Sequence, residues 1–329
     1  MPAIRAANVR ERSLLGYHSL LIVTLTVNPA IDHIVNVDRL AFEDRAYVNS
    51  SGESAGGRGI NSSCVIHSFG GPTLAVIVSG GDSGKRLERH LAGSGFPIRV
   101  VPIRNEIRTN LTITDKHGLT VNLNEAGPQL SPEEVDSVES AVRDALDHAS
   151  WLLLCGSLPP GVPVSFYGKL ISMARRKKVK TLLRANGDAL REGIEARPTV
   201  AAPNQQEAER LLGRTLLTRT HYLEAAAQIR AMGPESVALS LGSRGAVSAL
   251  ADGMVEALPP RVDAVCPIGA GDALTAAYAW SMLRDPNPAE ALRWGVAAGT
   301  ASARLPGMSF ASLAQTEEIY RKVELRRAE

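Results

Sequence analysis

The chain has 329 residues, 44% hydrophobic and 21% charged, which is ordinary globular composition and enough to bury a sizeable core. A formal net charge of +2 creates no long-range field for nucleic acid or an anionic membrane surface, so any affinity for phosphate has to be local. Length alone suggests about two domains, although a single α/β domain with an appendage also reaches this size.

Residues 1–19 carry Arg5, Arg10 and Arg12 without the apolar core of a secretory signal, and read as an extension ahead of the folded part. The apolar run 20–27 is too short to cross a bilayer and ends at Asn28-Pro29, as a buried first strand would. Residues 31–54 and 107–125 look like strands in direct succession. In the second region Lys116-His117-Gly118 separates two alternating runs, which predicts a hairpin. A small antiparallel sheet set apart from the main one suits a lid. Further strands are expected at 74–78, 151–154, 180–183 and 236–240, with helices at 164–174, 206–212, 222–232 and 272–283. Ser131-Pro132-Glu133-Glu134 opens another helix, with an N-cap serine, proline at the first helical position and acids in the first turn. Strands alternating with helices predict a doubly wound, mainly parallel α/β sheet with helices on both faces. The basic stretch Arg321-Lys322 to Arg326-Arg327 reads as a solvated helix end, with 324–329 a tail.

Three cysteines, Cys64, Cys155 and Cys266, lie far apart with no CxxC pair. That pattern suits a reducing compartment, with neither a disulfide framework nor a thiolate metal site, and makes a cytoplasmic enzyme the default expectation. None of the seven histidines forms a paired metal spacing.

Gly269-Ala270-Gly271-Asp272 places one carboxylate at a helix mouth behind a loop almost without side chains. Such a first turn exposes unpaired N–H groups and the positive end of the helix dipole, and glycines let a phosphate approach the backbone. An acid favouring the dipole is the plainer explanation of that motif alone. Gly56-Gly57-Arg58-Gly59-Ile60-Asn61 is a second glycine-rich loop opening a helix, either a capped turn or a cradle for polyol hydroxyls with Arg58 as a cation. It lacks the dinucleotide spacing, which argues against a nicotinamide-dependent enzyme. Gly80 to Lys85 fails as a phosphate loop, because Ser79 and Arg86 occupy the positions of its first glycine and its magnesium-binding hydroxyl. Asn204 and Glu207 sit three residues apart at a helix start, as a plain cap or as oxygen ligands for a magnesium that keeps most of its waters.

In chain order, Asn28-Pro29-Ala30-Ile31-Asp32, the loop at 56–61, Arg108-Thr109-Asn110, Gly156-Ser157-Leu158-Pro159-Pro160-Gly161, Asn204-x-x-Glu207, Ser240-Leu241-Gly242-x-x-Gly245 and 269–272 resemble the phosphofructokinase-B branch of the ribokinase-like sugar kinases. By motif the chain is most similar to 1-phosphofructokinases and tagatose-6-phosphate kinases. The resemblance covers about 20–323, nearly the whole chain. It implies ATP-dependent phosphorylation of a sugar phosphate under a β-sheet lid, with magnesium, in a homodimer formed through the lid sheets, with potassium dependence left open. It also implies neither a nucleic-acid nor a membrane partner.

By position, Asp272 resembles the base that takes the substrate proton, and the N–H groups of Gly269, Ala270 and Gly271 an anion hole. Asp32, Gly56, Gly57 and Asn61 would hold the sugar. Arg45, Arg58, Arg108 and Ser157 would surround the phosphate already on it. Asn204 and Glu207 would organise Mg–ATP, the metal through water, and Ser240, Gly242 and Gly245 would line the nucleotide. The chain departs from the family pattern at Ala202 (usually Lys), Arg184 (usually Asp), Pro267 (usually Thr), Ala273 (usually Ser) and Leu305 (commonly Asn). Arg184 could supply the charge that Ala202 lacks by reaching the nucleotide phosphates. Fructose 1-phosphate is the favoured acceptor. Fructose 6-phosphate, tagatose 6-phosphate, another sugar or a nucleoside are the alternatives within the class, and a weakly catalytic sugar-phosphate sensor the one outside it.

Overall fold

The computed structural model describes residues 20–41 and 44–328, so the expected extension over 1–19 lies outside the described residues. The chain opens with β1 (Leu21–Thr26), followed by β2 (Ala30–Val37), β3 (Val48–Gly56), α1 (Arg58–Ser68), β4 (Thr73–Ser79), α2 (Gly81–Leu91) and β5 (Ile98–Pro102). Next come β6 (Arg108–Asp115), β7 (Thr120–Asn124), α3 (Pro132–Ala145), β8 (Ala149–Cys155), α4 (Phe166–Arg176) and β9 (Lys180–Arg184). The middle continues with α5 (Gly187–Glu195), β10 (Val200–Ala201), α6 (Gln205–Leu212), α7 (Arg219–Ala231) and β11 (Ser236–Ser240). The last elements are β12 (Ala246–Leu250), β13 (Gly253–Leu258), α8 (Ala270–Arg284), α9 (Pro288–Ala303), α10 (Leu313–Tyr320) and β14 (Glu324–Ala328).

Among the described residues ten strands form the main sheet in the order β14-β13-β12-β11-β10-β9-β8-β1-β4-β5. From β11 to β5 all neighbours run parallel, and β12, β13 and β14 add antiparallel strands at one edge. The central strands are near-continuous apolar runs because helices cover both faces. Ile22, Val23 and Leu25 on β1 and Leu152 to Leu154 on β8 have no exposed surface. Separate apolar clusters pack against the two faces, one with Leu87, Tyr167 and Leu170, the other with Trp151, Tyr278 and Trp280.

The small sheet expected as a lid is, among the described residues, a separate four-stranded sheet in the order β3-β2-β6-β7. Its outer pairs are antiparallel, as the alternating pattern predicts, and are joined through a parallel β2–β6 pair. The β6–β7 turn closes where Asp115 Oδ1 accepts the N–H groups of His117 and Leu119 and Gly118 takes φ 83°. The expected cap of α3 forms in full: Ser131 and Glu134 accept each other's backbone N–H, a pairing worth about 1 kcal/mol. Lys85, in the rejected phosphate loop, lies exposed against Asp82 within α2.

The expected tail needs correction. Residues 324–328 form β14, an edge strand antiparallel to β13, rather than a solvated helix end. The open edge of β13 needs a partner for its backbone, and Leu325 packs on the core beneath while the neighbouring arginines stay outside.

Helices α8 and α9 approach closely because their facing residues are small. A Cβ on Gly299 would come within 2.8 Å of the Ala270 carbonyl, and one on Gly295 as near to that of Leu274. This contact anchors the first turn of α8, where the motif residues collect.

Candidate active site

The residues singled out in the sequence gather at the carboxyl ends of the parallel strands, where crevices form in open α/β sheets. Asn28 follows β1, Ser157 follows β8, Arg184 ends β9, Asn204 follows β10 and Ser240 ends β11. Two helix N-termini meet there. Gly57, at φ 140°, precedes α1, and Gly269, at φ 81°, precedes α8. Asn61 in the first turn of α1 donates through Nδ2 to Asp272 Oδ2 in the first turn of α8, at 2.8 Å. Both positive dipole ends therefore face one small volume.

Gly269 adopts a left-handed conformation with Phe310 against it, 2.9 Å from where a Cβ would stand, so no other residue fits there without strain. Ala270 turns its N–H onto the Pro267 carbonyl at 3.2 Å. Among the described residues the N–H groups of Gly269 and Gly271 donate to none. Two of the three expected anion-hole donors are thus free and the third is occupied. Asp272 is buried, and its second oxygen lies 3.3 Å from Arg184 Nε. Arg184 is itself 8% exposed and donates from Nη1 to the Gly271 carbonyl at 2.6 Å. The sequence suggested a reach toward nucleotide phosphates, whereas here this guanidinium lies on the carboxylate and the helix turn.

On the lid side, Asp32 Oδ1 accepts from Asn110 Nδ2 at 2.8 Å. Burial pushes the Asp32 carboxyl above its ordinary range, Asn110 and Arg108 pull it back, and the Asp272 charge adds to the rise. Gly56 is required for space, since a Cβ there would fall 2.3–2.6 Å from the Asp32 carboxylate. Arg108 holds the carbonyls of Glu125 and Asn28 at 3.0 and 3.1 Å, and among the described residues its buried Nε has no hydrogen-bond partner. Burial holds its guanidinium below its usual value despite nearby Asp32. Ser157 accepts from Asn28 Nδ2 at 3.1 Å, which ties the β8 loop to the end of β1.

Arg58 spans the gap to the other half of the site and meets Glu207 Oε1 at 3.0 Å. Burial opposes the charge on Arg58, but Glu207 and Asp272 outweigh it and hold the guanidinium above its ordinary value. Glu207 Oε2 accepts the Asn204 N–H at 2.9 Å, and Asn204 Oδ1 accepts that of Glu207 at 2.8 Å. The plain capped-helix reading of this pair is therefore met, with a buried carboxylate left over to bind Arg58. Ser240 bridges to Asn204 in a single parallel contact, which brings the 240–245 loop to the same helix start. Gly242 and Gly245 both have positive φ, and a Cβ on Gly245 would strike the Ala257 carbonyl at 2.0 Å.

Arg45 is not brought in. It stays exposed in the β2–β3 connection, its N–H on Asp44 Oδ1. The site also includes residues the sequence reading did not assign. Asn28 stands in the motif before Pro29 and Asn110 in the motif after Thr109, and only the β2–β6 pairing sets Asn110 beside Asp32. Met308 and Phe310, which pack against Asn61 and Gly269, come from a loop with no motif to mark them.

A cavity of about 640 Å³, large enough for a nucleoside, lies between the 260–263 loop, the end of α9 and α10; Arg304, Leu305, Gln315 and Glu318 line it, and none of the site residues described above does. Val265 and Cys266 continue that loop toward Gly269, their N–H groups on the Ala303 carbonyl. Below the cluster, burial and the Asp272 charge push the Cys155 thiol up to about 12, while burial alone raises Cys64 to about 11. Iodoacetamide at about pH 8 is therefore expected to alkylate half-buried Cys266 first and to leave Cys155 intact until the protein unfolds. Peptide mass spectrometry reads the order, and an early Cys155 adduct would contradict it.

Residues 19–315 match the pfkB family carbohydrate kinase profile. The chain is 30% identical over 301 residues to the ATP-dependent 6-phosphofructokinase isozyme 2 of Mycobacterium tuberculosis, covering 91% of this chain and 88% of that protein. It is 32% identical over 260 residues to the 1-phosphofructokinase of Rhodobacter capsulatus, covering 78% and 82%. The crystal structure of phosphofructokinase-2 from Escherichia coli in complex with substrates and products superposes with a TM-score of 0.85 at 29% identity, covering 92% of this chain and 98% of that one. Among the described residues no helix is long and apolar enough to cross a membrane. Two helix mouths converging on one buried carboxylate beneath a β-sheet lid, with a family match across nearly the whole fold, place this chain in the pfkB family of carbohydrate kinases.

Proposed function

We propose that the protein phosphorylates a sugar phosphate with ATP, fructose 1-phosphate to fructose 1,6-bisphosphate being the favoured reaction. The carrying observation is the Asn61–Asp272 bond, which sets one buried carboxylate beside two free N–H groups at a helix mouth. In this reading Asp272 takes the proton as a sugar oxygen forms its bond to phosphorus and the bond to the departing ADP oxygen breaks. The N–H groups of Gly269 and Gly271 receive the charge on the moving phosphoryl group. Asp32, held by Asn110 over Gly56, binds sugar hydroxyls, and Arg58 and Arg108 supply the cations for the phosphate already on the sugar.

Nucleotide binding is assigned to the cavity beside Leu305 and to the 240–245 loop. Among the described residues no group of three His, Cys, Asp or Glu could cage a metal. Both Glu207 oxygens are already engaged, which fits a magnesium that keeps its waters and is met by Asn204 and Glu207 only through them. Bound there, the ion would neutralise charge on the transferring phosphates. A homodimer through the lid is in keeping with the exposed Leu123 on β7 and Leu119 in the turn before it.

The acceptor is tested by ADP release over fructose 1-phosphate, fructose 6-phosphate, tagatose 6-phosphate and free fructose. The highest kcat/KM is expected with fructose 1-phosphate. Preference for fructose 6-phosphate would make the M. tuberculosis isozyme the better guide, since that match spans more of the chain. Tight binding across the panel without turnover would favour a sensor.

A further inference from the structure

Arg184 is a buried cation that stability alone explains poorly. It is 8% exposed at the end of β9, and the Asp272 carboxylate lies 3.3 Å from its buried Nε, which among the described residues completes no hydrogen bond. Burying a guanidinium is costly unless its partners are well aligned, and a buried ion pair as a whole often adds little over apolar residues of similar volume. What the placement does accomplish is geometric. One Asp272 oxygen is held by Asn61 and the other faces Arg184, so each carboxylate oxygen has its own neighbour. Nη1 donates to the Gly271 carbonyl at 2.6 Å, and the guanidinium lies against the face of Gly271, where a Cβ would fall 2.5 Å from Nη2. The same side chain therefore touches both the acid and the helix turn that carries the free Gly271 N–H.

We infer that Arg184 is a positioning residue for phosphoryl transfer, setting the Asp272 carboxylate and the first turn of α8 relative to each other. The inference rests on the phosphoryl-transfer reading given above. It separates from a role in gripping nucleotide phosphates, because a residue that only aligns the base and the anion hole alters kcat and leaves ground-state binding alone.

The test compares Arg184→Gln and Arg184→Lys with the wild type on the best sugar phosphate of the panel. Arg184→Gln is expected to lower kcat about 100-fold, the scale of a small misplacement of reacting groups, with both KM values within about threefold. Arg184→Lys keeps the charge but cannot span Asp272 and the Gly271 carbonyl together, so it is expected to recover only about tenfold. A second readout needs no turnover. Affinity for MgADP alone is expected to hold, while that for MgADP with aluminium fluoride and the sugar phosphate weakens in step with kcat.

A kcat for Arg184→Gln within about twofold of wild type overturns the inference, as does a raised nucleotide KM with kcat unchanged. Should Arg184→Gln fail to fold, a wild-type kcat in Arg184→Lys overturns it instead. A wild type inactive on every sugar phosphate counts against the proposed function itself, whereas an indifferent Arg184→Gln beside an active wild type counts against this assignment alone.

Discussion

Asp272→Asn is expected to lower kcat by about 10²–10⁴-fold, the range that a positioned general base contributes, with the KM values for sugar and nucleotide little changed. The substitution is nearly isosteric, so the packing of α8 against α9 is untouched. Its electrical consequence is larger, because Arg184 loses its carboxylate while remaining buried, with side chains here 9% and 7% exposed. Breaking such a pair costs about 3–5 kcal/mol, and the thermal midpoint is expected to fall with it. Adding Arg184→Gln removes the stranded charge and is expected to restore much of the midpoint without restoring kcat. Calorimetry and ADP release on the single and double variants separate the two effects. A single variant as fast as the parent would exclude Asp272 as the base.

Gly56→Ala tests the sugar side through one methyl group. The new Cβ would stand 2.3–2.6 Å from three atoms of the Asp32 carboxyl group. Gly56 ends β3 with no positive φ, so the backbone accepts alanine and only space is contested. The clash is with the end of a side chain rather than with backbone, so it is relieved by Asp32 swinging aside and a gross loss of stability is not expected. Asp32 has to move, and its bond to Asn110 opens with it. Losing an aligned charged hydrogen bond to the sugar is worth about 1.5–3 kcal/mol, hence a sugar KM higher by about 10–100-fold. The nucleotide KM should not follow, because the 240–245 loop and the cavity near Leu305 are formed by other elements. A sugar KM that stayed put, in a folded variant, would remove Asp32 from the sugar site.

Much of this arrangement is legible from local chemistry. The apolar runs of β1, β8, β9 and β11 can only be buried strands, and the first strand stops at Thr26 just before Asn28-Pro29, as expected. Capping residues mark α3 and α6 in the sequence, and both capping boxes form. The glycines before α1 and α8 mark helix mouths because only glycine adopts their φ without strain. Residues 321–328 are the exception. Its arginines suit a solvated helix end locally, and only the unpaired edge of β13 makes it a strand.

The positions of the acid, the amides and the bare loops, and the family to which they belong, are properties of the sequence itself, since each depends on short-range preferences for caps, turns and buried strands. The company each charge keeps is not. Arg58 and Glu207 lie 149 residues apart in the chain, Asn61 and Asp272 211 apart, and Arg184 reaches Gly271 across 87. Those pairings depend on which strand ends become neighbours in the sheet. That order follows from packing the whole apolar core, so only the tertiary structure could turn Arg184 toward Asp272 and leave Arg45 outside.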